Sequence, residues 1–520
     1  MQQSKLPGRI YLLLICVAFF YITQSLLVTI SALVGFDLAV DKRWATLPIA
    51  LLFFSIALIT VPASRFMRRY GQTQGFILAS VLGIMAAIIT SWSLFNNSFI
   101  GFCTASLFFG AYIAFSKYYR LITTELIAPE FESRIISMLI TSGIIAAFIG
   151  PNLANWSSGI FNDNSFAGPF VVLIVIYLVN IATVLIARLP ASTMPVDKNK
   201  QDEKPARNIK EIIKQPLFII AACCHVLGFA AVMLIVISTP LAMKANALSI
   251  GAIAIVIQWY FVATFAPTFF TGRIIKRIGL KKVLFAGVLF GVLCIVVNSF
   301  GESKWHFITA LILLGLCWNC LQVGGTLIKA DSYRENEKAN TQVAYDVMVF
   351  STAAITALLA GVLHFQFGWQ AINLAAIPFL LIISAAIIWI YRLNTLTANQ
   401  HSKLQNAELQ RDKIRLEARK WEGVQEYAPT GQSPSGDQNL NYAEIASHNE
   451  NSSLTDKSSS YRSPNQTENL SPNESSVHIH STSRSQQVRC GFCRGRARIK
   501  TDRNWTTCKF CNGRGVRAAN

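Results

Sequence analysis

Charged side chains are scarce in this chain. Asp, Glu, Lys and Arg make up only 14% of its 520 residues, whereas an ordinary globular protein carries about 25%. Acidic residues are the rarer sign, with 27 Asp and Glu against 46 Lys and Arg, and the formal net charge is +19. Because 52% of the residues are hydrophobic, the composition argues against an ordinary soluble domain and predicts an integral membrane protein.

Catalytic and nucleotide-binding signatures are also missing from the sequence. It contains no Gly-x-x-x-x-Gly-Lys-Ser/Thr phosphate loop, so an ATP-driven pump is not supported and an ion gradient is the expected energy source. We find no triad pattern and no paired-carboxylate hydrolase site, and therefore predict that the protein is not an enzyme. The first apolar run lacks a cleavage pattern and is too long for a signal-peptide core, so we expect it to remain as a helix.

Twelve apolar runs of roughly 20 residues fill residues 1 to about 391, and roughly 20 residues are what a helix needs to cross a membrane core of about 30 Å. They begin near Ile10, Trp44, Gly75, Phe99, Ile135, Gly168, Leu217, Ile250, Val283, Phe307, Val343 and Ala371. With a cytoplasmic N-terminus, 23 Lys and Arg up to residue 390 lie on the inner side and four lie outside: Lys42, Arg43, Lys244 and Lys304. Since cytoplasmic loops accumulate Lys and Arg, we predict that both termini are cytoplasmic.

A basic turn occurs twice, once in each half of the apolar region. The sequences are SRFMRRYGQTQG, from Ser64, and GRIIKRIGLKKV, from Gly272. At an offset of 208 residues Arg65 aligns with Arg273, Arg69 with Arg277 and Gly71 with Gly279. A second internal match, at an offset of 205 residues, aligns Gly110 with Gly315 and Lys117 with Gln322. The sequence therefore predicts two homologous halves of six helices in the same orientation.

These turns resemble the G-x-L-x-D-R-x-G-R-K pattern that members of the major facilitator superfamily carry between helices 2 and 3 and often repeat between helices 8 and 9. The second copy matches at Gly272, Arg277, Gly279 and Lys281, whereas the acidic position is basic in both copies, as Arg68 and Lys276. The resemblance implies an all-α fold of twelve transmembrane helices and a secondary transporter of a small solute. It also implies a gating role for the two turns. The alternative is that their charges only satisfy the positive-inside bias and reach lipid phosphates.

Other stretches are similar to a group of bacterial family members, some of which are riboflavin importers. They are SALVG, ATLP, TVPAS, GLCWNCLQVGG and FGWQAIN. The resemblance extends over residues 5 to 395. It makes riboflavin one candidate substrate and predicts a multi-pass protein of the bacterial inner membrane.

Polar residues within the apolar runs are the candidates for a substrate site, because an ionisable group in a membrane helix needs a partner, a water-filled cavity or a function. In the family fold, helices 1, 4, 7 and 10 line a central cavity. The resemblance then places these residues at the cavity: Gln24, Lys117, Arg120, His225, Asn319 and Gln322. Lys117 and Arg120 are spaced to share one helix face, which would favour an anionic or strongly hydrogen-bonding substrate. The alternatives are lysine and arginine that reach the membrane surface, a satisfied interior histidine, and amides that only join helices.

Asp346 is the candidate for proton coupling, because it is a carboxylate inside the eleventh apolar run. A buried Asp takes up and releases a proton as its access to water changes. The alternative is that Asp346 lies near the cytoplasmic end and pairs with Arg334 or Lys338.

The chain changes character near Leu393. We predict an N-terminal bundle over residues 1–190, a cytoplasmic loop over 191–216 and a C-terminal bundle over 217–395. Residues 401–425 are charged and favour a helix. Ser, Asn, Pro, Gln and Thr dominate from about Tyr427 to Gln487, a composition too poor in apolar surface to fold. The stretch 396–480 is therefore predicted to be a charged and then disordered linker.

Four cysteines near the C-terminus form two Cys-x-x-Cys pairs: Cys490, Cys493, Cys508 and Cys511. Two such pairs complete a tetrahedral four-thiolate site, so residues 481–520 are predicted to be a zinc module, with a redox dithiol as the alternative. The segment resembles one repeat pair of the cysteine-rich domain of DnaJ-type co-chaperones, whose pattern is Cys-x-x-Cys-x-Gly-x-Gly. Metal would supply the folding free energy of so small a module.

The tail from Ser481 onward carries ten Lys and Arg but a single acid, Asp502. Such a charge favours acidic partners, namely anionic lipids, an acidic protein segment or RNA. The sequence is compatible with two functions. The first is a secondary transporter with a cytoplasmic tail, and the second is a transporter-like scaffold or sensor that presents the zinc module. Interior polar residues such as Lys117 and Gln322 favour the first.

Overall fold

The computed structural model describes residues 8–125, 131–161, 166–189 and 207–425, and four short strands near the C-terminus. The chain divides into two units, residues 1–426 and 427–520. All described residues of regular structure in the first unit are helical. The seven helices of its first half are α1 (Gly8–Leu38), α2 (Leu47–Tyr70), α3 (Gln72–Phe95), α4 (Phe99–Ser116), α5 (Tyr118–Glu125), α6 (Glu132–Ser157) and α7 (Ala167–Ala187).

The second half begins with a short helix in the predicted central loop and ends with a very long one. Its helices are α8 (Ile209–Ile213), α9 (Pro216–Ala222), α10 (Gly228–Ala245), α11 (Ile250–Phe265), α12 (Thr268–Ile278), α13 (Leu280–Phe300), α14 (Lys304–Ala330) and α15 (Lys338–Gln425). A π-helical turn at Cys223–Leu227 joins α9 to α10. The backbone of α15 leaves helical geometry at Gly368.

Ten of the described helices are long and apolar enough to cross a membrane, or eleven if α11 and α12, which meet at a 43° bend, form one span. The chain is thus a multi-pass membrane protein whose first unit is all-α. The predicted starts of the first ten runs lie close to the observed helix starts. The last two runs both fall within α15, on either side of Gly368. This helix continues through the predicted charged segment to Gln425.

The two halves repeat the same packing scheme. In the first half α2 and α3 pack on α4, α3 packs on α7, and α1 packs on α6. In the second half α11 and α13 pack on α14 in the same way, and α13 and α10 both pack on α15. The halves meet through α2 against α15, α6 against α11 and α1 against α10.

The aligned glycines Gly110 and Gly315 allow close helix contacts within the two halves. A Cβ atom added at Gly110 would clash with the Leu52 carbonyl oxygen of α2, and one added at Gly315 would lie 2.6 Å from the Tyr260 carbonyl oxygen of α11. Small residues of this kind let membrane helices approach each other. The repeat seen in the sequence therefore corresponds to a repeated packing contact.

The end of the central loop is attached to the second half by one arginine. Arg207 donates two side-chain hydrogen bonds to the Glu337 carboxylate, at 2.8 and 2.6 Å, and the Arg207 backbone N–H donates a third at 2.9 Å. Nearby, Ile212 and Phe218 are buried against Tyr345 and Val349 of α15. These contacts hold α8 and the start of α9 against the beginning of α15, the end that we predict to be cytoplasmic.

The second unit contains four described strands, which form two antiparallel pairs. They are β1 (Gln487–Arg489), β2 (Arg498–Lys500), β3 (Trp505–Thr507) and β4 (Val516–Ala518). β1 pairs with β4, and β2 pairs with β3. The four cysteines of the predicted zinc module lie outside the described residues.

Candidate functional site

A buried ion pair joins the two halves. Lys117, the residue that ends α4, donates from Nζ to Asp346 Oδ2 at 2.7 Å and to Thr60 Oγ1 at 3.0 Å. Only 16% of the lysine side chain and 19% of the aspartate side chain are exposed. Because charges in such surroundings are costly without a partner, each group stabilises the other. The pairing differs from the sequence-based alternative, in which Asp346 bonds to Arg334 or Lys338.

The ion pair continues into a second lysine through a glutamine of α15. Gln342 lies one turn before Asp346 and donates from Nε2 to Asp346 Oδ1 at 2.8 Å. Lys329, at the end of α14 and only 4% exposed, donates from Nζ to Gln342 Oε1 at 2.7 Å. We refer to Thr60, Lys117, Asp346, Gln342 and Lys329 as the polar relay. Its two ammonium groups and one carboxylate give an excess positive charge when all three are ionised.

Four aromatic rings next to the polar relay form an aromatic cluster: Phe53, Phe229, Trp318 and Phe350. The ring centroid of Phe53, in α2 of the first half, lies 6.0 Å from that of Phe229 and 6.3 Å from that of Phe350. Since Phe229 and Phe350 belong to the second half, these contacts cross between the halves. Phe229 also lies 5.0 Å from Trp318. Lys117 Nζ lies 5.2 Å from the centre of the Phe350 ring. The cluster and the relay are therefore contiguous.

His225 borders the same cluster from the π-helical turn. Its ring packs edge to face on Trp318, at 5.2 Å, and on Tyr345, at 5.4 Å. Its Nδ1 has no hydrogen-bond partner among the described residues. The Tyr345 hydroxyl donates to the Ala221 carbonyl at 2.9 Å, just before this turn. Turns of this type recur at functional sites in helices.

The other residues predicted for the cavity fall in different environments. Gln24 and Gln322 are half-buried, and their side chains make no hydrogen bond within the described part of the chain. Arg120 is exposed on α5, so the helix break at Lys117 separates it from the buried lysine. The structure thus pairs Lys117, a predicted cavity residue, with Asp346, the predicted coupling residue, and leaves Arg120 outside the relay.

Asn319 joins three helix segments. Its Nδ2 donates to the Thr264 carbonyl at 2.8 Å and to Thr268 Oγ1 at 2.6 Å, and its Oδ1 accepts from Thr271 Oγ1 at 2.7 Å. These bonds connect α14 to α11 and α12 on both sides of their bend. Such bonding matches the alternative role foreseen for this residue, the joining of helices.

The two basic turns have the same backbone shape. Gly71 ends α2 with φ +96° and ψ 162°, and Gly279 ends α12 with φ +92° and ψ 149°. Both glycines are also the residue before the next helix. Gly272, by contrast, lies inside α12. The arginines of the turns, Arg65, Arg69, Arg273 and Arg277, are exposed and form no ion pair with a described carboxylate.

A second ion pair bridges the halves at the opposite end of the interface, between Asp37 of α1 and Lys244 of α10. The Phe36 ring stacks on Phe365 at 5.7 Å. Thr46 Oγ1 accepts a hydrogen bond from the Gly361 backbone N–H at 3.1 Å. The halves are thus joined at both ends of their interface.

Sequence patterns did not identify several members of these contacts. Lys329 is not among the predicted cavity residues, although the rule used for Lys117 applies to it equally. Thr60 and Gln342 carry no signal in the sequence, since isolated polar residues in membrane helices are common and only their partners distinguish them.

Comparison with known proteins gives consistent results over the helical unit. The profile of the Major Facilitator Superfamily matches residues 13–244 and 221–431. Riboflavin transporter RfnT of Brucella anthropi is 31% identical over 366 residues, which cover 70% of this chain and 91% of that protein. The uncharacterized MFS-type transporter YddS of Bacillus subtilis is 26% identical over 384 residues, or 70% of this chain and 86% of that one. The crystal structure of PepTSo, a POT family transporter, superposes with a TM-score of 0.60 at 12% identity, covering 76% of this chain and 99% of that chain.

Proposed function

We propose that this chain, which belongs to the Major Facilitator Superfamily and is a secondary transporter, carries riboflavin or a similar flavin-like solute. The proposed substrate rests on the 31% identity to a riboflavin transporter, over 91% of that protein. Uptake of radiolabelled riboflavin by cells that lack their own importer tests the proposal. We expect saturable uptake that depends on expression of the chain. Uptake no higher than in cells with an empty vector would exclude riboflavin.

Alternating access needs a closure at each end of the interface, and the described contacts supply a candidate for each. With the N-terminus inside, the polar relay closes the cytoplasmic end and the Asp37–Lys244 pair closes the outer end. Protonation of Asp346 would neutralise the carboxylate and weaken its bond to Lys117. The inner closure would then open. This sequence of events couples solute movement to a proton gradient.

Lys117→Met tests the proposed inner closure. The variant should remain folded in the membrane. Its transport should fall strongly, because the substitution removes the charge that Asp346 faces. Arg120→Met is the matched control from the adjacent helix, and as an exposed residue it should have a smaller effect. Equal and near-normal transport by both variants would contradict a role for the relay.

An anionic metabolite is the second candidate substrate, and the excess positive charge of the relay favours it. The two lysines are Lys117 and Lys329, and the single carboxylate is Asp346. A counterflow screen of anionic metabolites in proteoliposomes distinguishes the two candidates. Exchange of an anion that riboflavin does not inhibit would favour the anionic substrate.

We also propose twelve membrane spans with both termini in the cytoplasm of a bacterial cell. The 50-residue apolar stretch Asn340–Trp389 supports two spans, since it is broken at Gly368. The distribution of Lys and Arg supports the orientation. Reporter fusions after Gln201 and after Ala398 should both report the cytoplasmic side, and signals from opposite sides would refute this topology.

For the second unit we propose a zinc site formed by Cys490, Cys493, Cys508 and Cys511. Their spacing in two Cys-x-x-Cys pairs supports it. In sequence the first cysteine pair lies between β1 and β2, and the second lies between β3 and β4. The purified full chain should contain one zinc per protein, and Cys490→Ser or Cys511→Ser should lose it. A metal content near zero in the unaltered chain would favour the redox alternative. The basic charge of this tail supports an acidic partner, whether lipid, protein or RNA.

A further inference from the structure

Phe36, the residue before Asp37 in α1, contacts two helices of the second half at the end of the interface that the proposed topology places outside. The Nζ atom of Lys244, in α10, lies 4.6 Å from the centre of the Phe36 ring. The ring also stacks on Phe365 of α15, with centroids 5.7 Å apart and planes 21° from parallel. One half-buried ring therefore joins the first half to both α10 and α15, whereas the Asp37–Lys244 ion pair joins it to α10.

Lys42 holds the backbone and the ring of Phe36 at the same time. Its Nζ atom donates to the Phe36 carbonyl at 2.6 Å and to the Ala39 carbonyl at 2.8 Å, and it lies 4.7 Å from the centre of the Phe36 ring. The last carbonyls of a helix have no partner within the helix, so these bonds satisfy the end of α1. Because one side chain contacts both parts of Phe36, it restricts where the ring can lie.

The Asp37–Lys244 ion pair is too exposed to hold this end of the interface closed by itself. The Asp37 side chain is 41% exposed and the Lys244 side chain is 35% exposed. Ion pairs in such surroundings contribute little, and dissolved salt screens them further. The contact between two apolar rings is not screened, and an ammonium group over a ring adds to it. The aromatic contacts therefore contribute more to the closure than the ion pair.

We infer that Phe36 is the main residue that closes the outer end of the interface, and that Lys42 positions it. In the closed form the Phe36 ring lies against Phe365 and Lys244, and opening requires both contacts to break. The Asp37–Lys244 pair adds to the closure but is not needed for it. The inference rests on the proposed function, in which this end of the interface opens during alternating access. It adds which contacts set the ratio of the open to the closed form.

Two spin labels on the full chain in lipid nanodiscs measure this ratio without a substrate. Ile100 and Trp305 are suitable positions, because both are exposed and lie at the start of the equivalent helices α4 and α14. Labels attached to p-acetylphenylalanine at these positions leave the native cysteines unaltered, and electron–electron double resonance gives the distance between the labels. We expect the unaltered chain to show mainly the short distance of the closed form.

Phe36→Leu should raise the ratio of open to closed roughly fivefold, the order of effect of losing one aromatic contact. Asp37→Asn should raise it less, and Phe36→Tyr, which keeps the ring, should resemble the unaltered chain. Lys42→Met leaves the ring in place but removes both bonds to the end of α1, so it should raise the ratio by less than Phe36→Leu does. Phe300→Leu is the matched control, because Phe300 is an exposed ring at the end of α13.

Salt separates the two kinds of contact. Raising the NaCl concentration from about 0.1 M to about 1 M should leave the unaltered chain mainly closed, since salt screens the ion pair but not the rings. The inference is wrong, and the proposed function stands, if Asp37→Asn or high salt opens the outer end as far as Phe36→Leu does. The same holds if Phe36→Leu and Lys42→Met behave like Phe300→Leu. If no variant, pH or riboflavin concentration changes the distance, alternating access at this end fails, and the inference fails with it.

Discussion

Lys117 and Asp346 are separated by 229 positions in the chain and lie 2.7 Å apart in the structure. Lys117 lies at the end of the apolar helix α4 and Asp346 lies inside α15, and an unpaired charge in a membrane helix costs at least a few kcal/mol. Their pairing explains how the membrane unit tolerates both. It also places the one carboxylate of the polar relay where a single proton changes the contact between the halves.

At this residue scale, Asp346→Asn separates binding from coupling. The amide keeps the shape of the carboxylate and can still accept a hydrogen bond from Lys117, but it cannot exchange a proton. We expect solute exchange in proteoliposomes to continue and accumulation driven by a pH gradient to be lost. Asp41→Asn, in an exposed loop where Asp41 bonds to Arg43, should leave both measurements unchanged. Normal pH-driven accumulation by Asp346→Asn would remove this residue as the coupling group.

Among the helices, the two basic turns depend on glycine for their shape. Positive φ combined with ψ near 150–160° is almost restricted to glycine, and other residues there cost about 1–3 kcal/mol. Gly71 and Gly279 both have this geometry.

We therefore expect Gly71→Ala and Gly279→Ala to lower the melting temperature of the purified protein. Gly272→Ala provides the control, because Gly272 lies inside α12 and nothing lies within 4 Å of an added methyl group. Thermal unfolding followed in detergent compares the three variants. An equal response of all three would show that backbone geometry is not the reason for glycine in these turns.

The contact of α8 and α9 with α15 adds a pH-dependent element outside the membrane spans. The hydrogen bonds from Arg207 lower the pKa of Glu337 from an ordinary value of 4.5 to about 2. Folding therefore favours the ionised form of Glu337. The contribution of this carboxylate to the stability of the fold is complete above pH 4.5. It is lost as the pH falls from there toward 2.

Glu337→Gln should consequently be less stable than the unaltered chain at pH 7, and the difference should shrink as the pH falls toward 2. Melting temperatures measured from pH 7 to pH 2.5 test this expectation. Glu302→Gln is the matched control, because the Glu302 carboxylate accepts a hydrogen bond from the neutral amide of Asn246 and does not face Arg207. A pH-independent difference for Glu337→Gln would contradict the assigned role of the ion pair.

On the scale of the whole molecule, the chain consists of two units that divide at residue 426. The family match covers residues 13–244 and 221–431, so almost all of it lies in the first unit. In the proposed cycle the transporter closes through contacts between its own two halves, and that cycle does not need the second unit.

We expect deletion of residues 427–520 to leave membrane insertion and basal transport largely unchanged. Uptake per molecule of protein in the membrane, for the full and shortened chains, is the measurement. A chain shortened within α15, after residue 368, is the comparison that should fail, because it removes part of the helical packing. Loss of transport on removing residues 427–520 alone would assign the tail a direct part in the cycle.

The sequence alone determined the membrane class, the helix positions and the repeat, because apolar runs and glycine spacing are local properties that hydrophobicity and backbone sterics control directly. The same rules placed Lys117 and Asp346 among the candidates. Only the tertiary structure decided that they pair with each other, that Lys329 joins them through Gln342, and that Arg120 stays exposed. These outcomes depend on which helix faces meet across the two halves, and contacts between distant segments leave no periodic trace in one sequence.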